Sequence, residues 1–291
     1  RLREDLIAPS IDRGIDLHMI IGNHDTFFKN TNAVNSMQEL YSYCDKINIH
    51  LEPTVKNFDG CEIALIPWIC PENEQRTFDM IKATTAQILF GHLEITGFEM
   101  YKGGLSITDG LDRNVFEKFD LVCSGHFHHR STQGNITYLG TAYEITWSDF
   151  NDQKGFHIFD TDDRSLTFVP NPHKMFFKVH YDDLNKTMDE VIVHDFTSLK
   201  DAFVKIIVRN KTNPYWFDLF IERIEKSGVQ NLQVVEDHLN LNLERDETIV
   251  NEAEDTLSIL NDYIEQLDIK HNKQEVKNAL HQLYSEALTI E

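Results

Sequence analysis

The chain has 291 residues, 41% of them hydrophobic and 11% aromatic, so it is long and apolar enough to bury a substantial core and to form two domains. Its formal net charge of −21 argues against a protein that coats nucleic acid through clustered Lys and Arg. Residues 231–291 carry −10 of that charge, so the preceding part is only mildly acidic and leaves room for local basic patches.

The cysteines and the apolar runs indicate the cellular compartment. The four cysteines, at positions 44, 61, 70 and 123, show no C-x-x-C spacing, which predicts reduced thiols in a cytoplasmic protein. No apolar run approaches the roughly 18 residues that a membrane span needs, and no signal peptide opens the chain. Because the sequence begins with Arg1 and not with Met, we expect residue 1 not to be the natural start.

Short runs rich in Ile, Leu and Val predict buried strands in the first part of the chain, at residues 17–21, 62–69, 87–90 and 120–123. Residues 71–84 open with Pro and acidic side chains and then space apolar residues as on a helix. Residues 135–147 and 155–169 predict further strands, the second region a hairpin around an Asp-Asp-Arg turn. This order predicts an α/β fold with a layered core of β-sheets flanked by helices.

Prolines at positions 170 and 172 mark a domain boundary. We predict three parts: a core at 1–170, a small α+β domain at 171–240, and a helical segment at 241–291. Strands are predicted at 176–181, 202–208 and 231–237, and a helix at 215–228. In the last part, heptad-like apolar seams predict two helices that suit binding to a partner, with these seam residues: Ala253, Leu257, Leu260, Ile264, Leu267, Val276, Leu280, Leu283 and Ala287.

Three predicted strands end in Gly followed closely by His. The sequences are Gly-Asn-His-Asp at 22–25, Gly-His at 91–92, and Gly-His-Phe-His-His at 125–129. Ligand sites of open α/β sheets lie at the carboxyl ends of strands, so we expect these loops to converge. We expect the glycines to let the backbone turn sharply and aim the imidazoles outward. The polar set comprises Asn23, His24, His92, His126 and His128, and we expect His129 to point away from it.

Imidazoles and an amide oxygen, without a thiolate nearby, favour a catalytic site for Mn²⁺, Fe²⁺ or Zn²⁺ over a structural zinc site. The remaining histidines are interpreted as surface or core residues. The three tryptophans, at positions 68, 147 and 216, are interpreted as packing residues.

The ordered set of GNHD, GH and GHFHH resembles the calcineurin-like metallophosphoesterase superfamily. Within it, LIPWIC, GHLEITGFEMYKGG and YLGTAYEITWSD are similar to segments of the nuclease subunits of double-strand-break repair and recombination complexes, those of bacteriophages included. The resemblance covers most of residues 15–170 and, more loosely, the remainder. It implies a DNA exonuclease and endonuclease, in the host cytoplasm if the chain is phage-encoded.

The resemblance also implies residue roles. Asn23, His92 and His126 would hold one divalent ion and His128 the other, with Mn²⁺ the expected metal. His24 would contact the scissile phosphate and help protonate the leaving oxygen, with Asp25 orienting it. Two ions about 3.5–4 Å apart let water attack a phosphodiester without a protein nucleophile.

The resemblance further implies partners: DNA, an ABC-type ATPase carried on the C-terminal helices, and a second copy in a homodimer. The middle part resembles a domain that helps to position DNA. Five basic residues there could supply phosphate contacts: Lys174, Lys178, Lys205, Arg209 and Lys211.

Two family motifs, Asp-x-His and Gly-Asp-x-x-Asp, are expected upstream of Gly22 and are absent from residues 1–21. The string Asp16-Leu17-His18 matches the first motif but lies at the opposite end of its strand, where six residues at ~3.3 Å each separate His18 from His24 by about 20 Å. We therefore expect residues 1–291 alone to bind metal weakly and to cleave DNA poorly.

The sequence leaves two alternatives open. One is a metallophosphoesterase that acts on a small phosphodiester or a phosphoprotein, and the other is a catalytically incomplete scaffold for an ATPase.

Overall fold

The structure, a computed structural model, describes residues 3–44, 46–104 and 106–236 and the single positions 264, 273, 276 and 277. Two compact units are distinguished: Arg1–Tyr143 with Asp152–Pro172, and Glu144–Asn151 with His173–Glu291. The predicted heptad helices lie outside the described residues, apart from those four positions. The three-part domain division stays a prediction.

The first unit begins with a π-helical segment, Arg3–Ile7, and contains ten strands and three α-helices in its described part. The helices are Ala8–Asp12 (α1), Ser36–Tyr41 (α2) and Glu74–Ala83 (α3). The strands are Leu17–Ile20 (β1), Ile47–His50 (β2), Thr54–Phe58 (β3), Cys61–Ile66 (β4), Ile88–His92 (β5), Leu121–Gly125 (β6), Ser131–Gln133 (β7), Ile136–Tyr138 (β8), Gly155–Phe159 (β9) and Leu166–Pro170 (β10). A 3₁₀ turn spans Arg113–Phe116.

A six-stranded sheet of order β3-β4-β5-β6-β8-β7 forms the centre of this unit. Strands β4, β5, β6 and β8 run parallel, and β3 and β7 are antiparallel edge strands. Side chains of the central strands alternate between two apolar clusters: Ala64 and Ile66 pack on one face, Ile63 and Leu65 on the other. The strands of a parallel sheet that is covered on both faces have continuous apolar sequences. The observed sheet therefore confirms the predicted layered α/β class.

Several predicted elements of the first unit are confirmed. The four apolar runs form β1, β4, β5 and β6, the Pro-initiated segment forms α3, and β9 and β10 pair as the predicted antiparallel hairpin. All four cysteines are free thiols. Among the described residues, no helix is both long enough and apolar enough to cross a lipid bilayer.

The predicted strand at 135–147 is wrong beyond Tyr138. Gly140 takes a left-handed φ of +71°, and a 3₁₀ turn forms at Trp147–Asp149. The Asp149 carboxylate accepts hydrogen bonds from the backbone N–H groups of Ile145 and Thr146, both at 2.9 Å. Side-chain acceptors therefore replace a neighbouring strand as the partners of this backbone.

The second unit contains a three-stranded parallel sheet and two α-helices in its described part. The strands are Phe176–Asp182 (β11), Phe203–Asn210 (β12) and Asn231–Glu236 (β13), and the helices are Met188–Ile192 (α4) and Pro214–Lys226 (α5), with a 3₁₀ turn at Thr197–Leu199. Helix α5 has Asn213 as its N-cap, Pro214 in the first turn and Gly228 at a φ of +84° after its end. The Glu144 carboxylate accepts from the N–H groups of Met175 and Phe176, which ties the segment Glu144–Asn151 to β11.

Tyr138 joins β8 to the chain that leaves β5. Its side chain is fully buried, its hydroxyl donates to Leu93 O at 2.9 Å, and the Ile95 N–H donates to that hydroxyl at 2.8 Å. We predict that Tyr138→Phe lowers the free energy of unfolding of the first unit by about 1–3 kcal/mol, because the Ile95 N–H is left buried without an acceptor.

Urea denaturation measures the effect. Tyr143→Phe removes the same hydroxyl from a side chain that is 52% exposed and should change stability by less than about 0.5 kcal/mol. Equal effects of the two substitutions would contradict the assignment.

Candidate metal centre

The carboxyl ends of β5 and β6 lie side by side. The strands are parallel, and their register pairs His92 with Gly125, so that His92 and His126 leave the sheet at neighbouring points. The imidazole centroids are 5.2 Å apart. Strand β1 delivers Asn23 to the same place, although β1 belongs to a separate two-stranded sheet with β2. The structure thus brings three of the predicted strand ends together.

Asn23 is the centre of this group. Its Oδ1 atom lies 2.8 Å from His92 Nε2 and 3.3 Å from His126 Nδ1. An amide oxygen only accepts, so each of these ring nitrogens donates to it. A cation bound here would contact one amide oxygen and two imidazole nitrogens, with the proton of each ring on its other nitrogen. Among the described residues, no three His, Cys, Asp or Glu side chains form such a group by themselves, so the amide is essential.

The glycines that precede these residues provide space rather than an unusual backbone conformation. A Cβ on Gly22 would lie 2.8 Å from His92 Cε1, and a Cβ on Gly125 would lie 3.2 Å from His92 Nδ1. Neither glycine has a left-handed φ. The predicted reason, a sharp turn, is therefore wrong for these two positions. They are glycines because the His92 imidazole packs directly on their Cα atoms.

His126 itself adopts the left-handed conformation, with a φ of +82°. This conformation is uncommon for a residue with a Cβ and costs of order 1–3 kcal/mol where the surrounding structure imposes it. The ring is packed by Trp68 at 5.2 Å and Phe127 at 5.1 Å, between ring centroids. The strained backbone therefore directs the imidazole back toward Asn23.

The two imidazoles are held neutral. Burial, followed by the charges of His126 and His24, lowers the pKa of His92 to about 3. Burial also lowers the pKa of His126, against the opposing influence of Glu94. A neutral imidazole has a lone pair on one ring nitrogen, so a metal can bind to that nitrogen while the proton lies on the other.

Glu94 is a site residue that the sequence analysis missed. Its Oε2 atom lies 3.4 Å from His126 Nε2, in a geometry that leaves this buried nitrogen without a hydrogen bond within the described chain. Its position two residues after His92 was the available signal, since alternate residues of an extended segment share a side.

His128 follows His126 by two residues in the loop after β6. Its ring is 5.0 Å from that of Tyr101, and its charge contributes to the lowered pKa of His126. The buried Lys154 ammonium donates to His128 O at 2.8 Å and to Asp152 at 2.9 Å, which fixes the backbone here. His129 pairs with Asp152 at 3.1 Å.

His24 is exposed, and its charge influences both His92 and His126. Asp25 Oδ2 accepts from the Gly22 N–H at 2.8 Å, which closes the turn that presents Asn23 and His24. The direct orientation of His24 by Asp25 stays a prediction. His18 instead bonds to His50 at 2.9 Å, between Nδ1 and Nε2, and stacks on it.

The basic residues of the second unit lie mainly on aromatic rings. The ammonium of Lys205 is 4.3 Å from the Trp147 ring centroid, that of Lys178 is 4.6 Å from Phe150, and that of Lys211 is 4.7 Å from Phe217. Lys205 is only 3% exposed, so it is a core residue rather than the predicted phosphate contact.

Comparison with known proteins gives three relatives. Exonuclease subunit 1 of Enterobacteria phage T4 is 34% identical over 286 residues, which cover 97% of this chain and 80% of that protein. The SbcD subunit of the SbcCD nuclease of Staphylococcus epidermidis is 26% identical over 75% of this chain, and its counterpart in Staphylococcus saprophyticus is 25% identical over 58%. The matches span 62% and 52% of those two proteins. No protein-family model matches the chain.

The close approach of Gly22 to His92 gives a testable consequence. We predict that Gly22→Ala lowers Mn²⁺ affinity about 10–100-fold, because the new methyl group displaces the His92 ring from Asn23. In a His92→Ala background the same change should cause no further loss, since the methyl group then meets no ring. Mn²⁺ titration of the four proteins measures both effects. Equal losses in both backgrounds would show that Gly22 acts through something other than His92.

Proposed function

We propose that this chain, which belongs to the metallophosphoesterase nuclease family of exonuclease subunit 1 and the SbcD subunit, is a metal-dependent DNA nuclease subunit. It would hydrolyse phosphodiester bonds as an exonuclease and endonuclease in recombination and double-strand-break repair. The observation that carries the proposal is the convergence of Asn23, His92 and His126 from three separate strand ends onto one amide oxygen.

The residues present fit a divalent ion. The site offers the amide oxygen of Asn23 and the two imidazole nitrogens that face it, His92 Nε2 and His126 Nδ1. Nitrogen and oxygen donors of this kind suit Mn²⁺. Asn23, His92 and His126 would hold one ion and His128 a second. When bound, a pair of ions supplies an activated water and neutralises charge on the phosphate.

The protein groups then position the substrate and move a proton. His24 is exposed, whereas His92 and His126 are partly buried, so a phosphate can reach His24 more readily than the other two imidazoles. His24 would contact the scissile phosphate and donate a proton to the leaving oxygen. Asp25 holds the turn from Gly22 to Asp25 in the form that presents His24.

An experiment on the full-length natural protein can distinguish the role of His24 from that of the proposed metal ligands. We predict that His24→Gln lowers Mn²⁺-dependent cleavage of linear duplex DNA about 100-fold or more while leaving Mn²⁺ affinity unchanged, because its role is proton transfer. His92→Ala should lose both cleavage and affinity. The control His157→Gln, on β9, should lose neither. Full cleavage by the His24 variant would contradict the mechanism, and full Mn²⁺ affinity of the His92 variant would contradict the ligand set.

The partners follow from the same family. The relatives are named as subunits, and we propose DNA as substrate, an ABC-type ATPase as partner of segment 241–291, and a second copy of the chain in a homodimer. Loss of ATPase co-purification on deletion of 241–291 tests the second of these. For the homodimer, Ile7 and Tyr41 pack in one apolar cluster, while Leu6, Leu40 and Tyr43 stay 53–61% exposed.

We predict that Leu40→Glu converts a dimer to a monomer, because a carboxylate in an apolar interface loses its hydration without a partner. Sedimentation velocity measures the change. Val193→Glu places the same charge on another exposed apolar residue and should leave the dimer intact. A monomeric wild-type chain, or a dimeric Leu40→Glu variant, would overturn the proposed interface.

A further inference from the structure

A cavity of about 330 Å³ opens beside His92, between the chain that follows β4 and the chain that follows β5. The residues on which the inference depends are Trp68, Glu74, His92, Glu94 and Asp109. We propose that this cavity binds an unpaired nucleobase that carries an exocyclic amino group, cytosine above all. The proposal rests on the nuclease function and specifies which part of the substrate occupies the space next to the metal centre.

Trp68 provides a fixed aromatic platform. Its backbone N–H donates to Ile21 O at 2.7 Å, and its carbonyl accepts from the side-chain amides of Asn32 at 2.9 Å and Asn73 at 3.0 Å. Both asparagines are buried, with 4% and 1% exposure. The half-buried Trp68 ring lines the cavity. An indole whose backbone is held in this way, at the edge of a cavity, can serve as a stacking surface for a base in addition to packing on His126.

The charges at the cavity favour one kind of ligand. Glu74 and Asp109, which are exposed, and the partly buried Glu94 line it, and no Lys or Arg is among its lining residues in the described part of the chain. Ionised carboxylates only accept hydrogen bonds, and they repel phosphate. Acidic side chains accept from the N4 amino group of cytosine, whereas thymine presents a carbonyl oxygen at the same place. The cavity therefore favours a base that carries an amino group and disfavours the phosphates of the same DNA strand.

The size and position of the cavity agree with a single nucleotide whose base lies in the cavity and whose phosphate lies at the proposed metal centre. A volume of about 330 Å³ is at the small end of ligand pockets, which suits one base and not a base pair. His92 belongs to both the cavity and the metal centre, so a base in the cavity places its phosphate near the imidazoles. An enzyme that holds a single base must take it from an unpaired strand or unstack it first.

Equilibrium binding of cytosine and thymine homo-oligonucleotides of equal length, in EDTA so that no cleavage occurs, tests the proposal. We expect the cytosine strand to bind about tenfold more tightly. The double variant Glu74→Ala/Asp109→Ala should reduce this ratio to near one. The control Glu72→Ala/Glu117→Ala removes two exposed carboxylates outside the cavity and should leave the ratio unchanged. Equal affinity for both strands, or an unchanged ratio in the cavity variant, would overturn the proposal.

A second pair of variants tests the platform. Trp68→Leu should weaken binding of both strands by about tenfold or more, and Trp68→Phe should restore most of it, because any base stacks on an aromatic ring. Equal binding by the Leu and Phe variants would show that Trp68 acts only through packing. Mn²⁺-dependent cleavage of duplex DNA, measured in parallel, separates the two ideas. If the wild-type protein cleaves duplex DNA but binds the two strands equally, only the cavity proposal fails. If the cytosine strand binds more tightly but the His24→Gln variant cleaves at the full rate, only the proposed role of His24 fails.

Discussion

The site depends on one steric constraint: the His92 imidazole occupies the space where side chains at positions 22 and 125 would otherwise lie. Because both neighbours are glycine, the ring can lie directly on two strand ends and meet Asn23 Oδ1 at 2.8 Å. The parallel pairing of β5 with β6 sets the distance between His92 and the residue after Gly125. Close packing of the backbone against the ring therefore fixes the positions of the proposed metal ligands.

The same packing has a free-energy cost, which apolar burial elsewhere in the sheet offsets. A buried imidazole nitrogen without a hydrogen bond costs about 1–3 kcal/mol, and the left-handed backbone of His126 adds a cost of similar size. The neighbouring sheet offsets this through fully buried apolar side chains such as Leu89 and Val122.

Much of this could be predicted from the sequence, for identifiable reasons. Strands β4 to β6 carry long apolar runs because both sheet faces are covered, and each Gly-His pair follows such a run. The role of the glycines could not be predicted, since for Gly22 it depends on a ring that lies about 70 residues further along the chain. Glu94 was missed because its contact with His126 joins segments about 30 residues apart. The segment after Tyr138 was misassigned because Asp149 supplies hydrogen bonds to its own loop, which a strand pattern does not record.

The electrostatics of the site also indicate how a chain of net charge −21 can act on a polyanion. The lowered pKa values of His92 and His126 keep both imidazoles uncharged, and carboxylates line the adjacent cavity. Lys205 is buried against Trp147 and does not compensate. In the proposed mechanism, positive charge at the scissile phosphate would come from bound divalent ions. If the proposed site binds metal, substrate binding and metal binding are thermodynamically coupled: each strengthens the other, because the acidic surroundings disfavour a phosphate at a metal-free site.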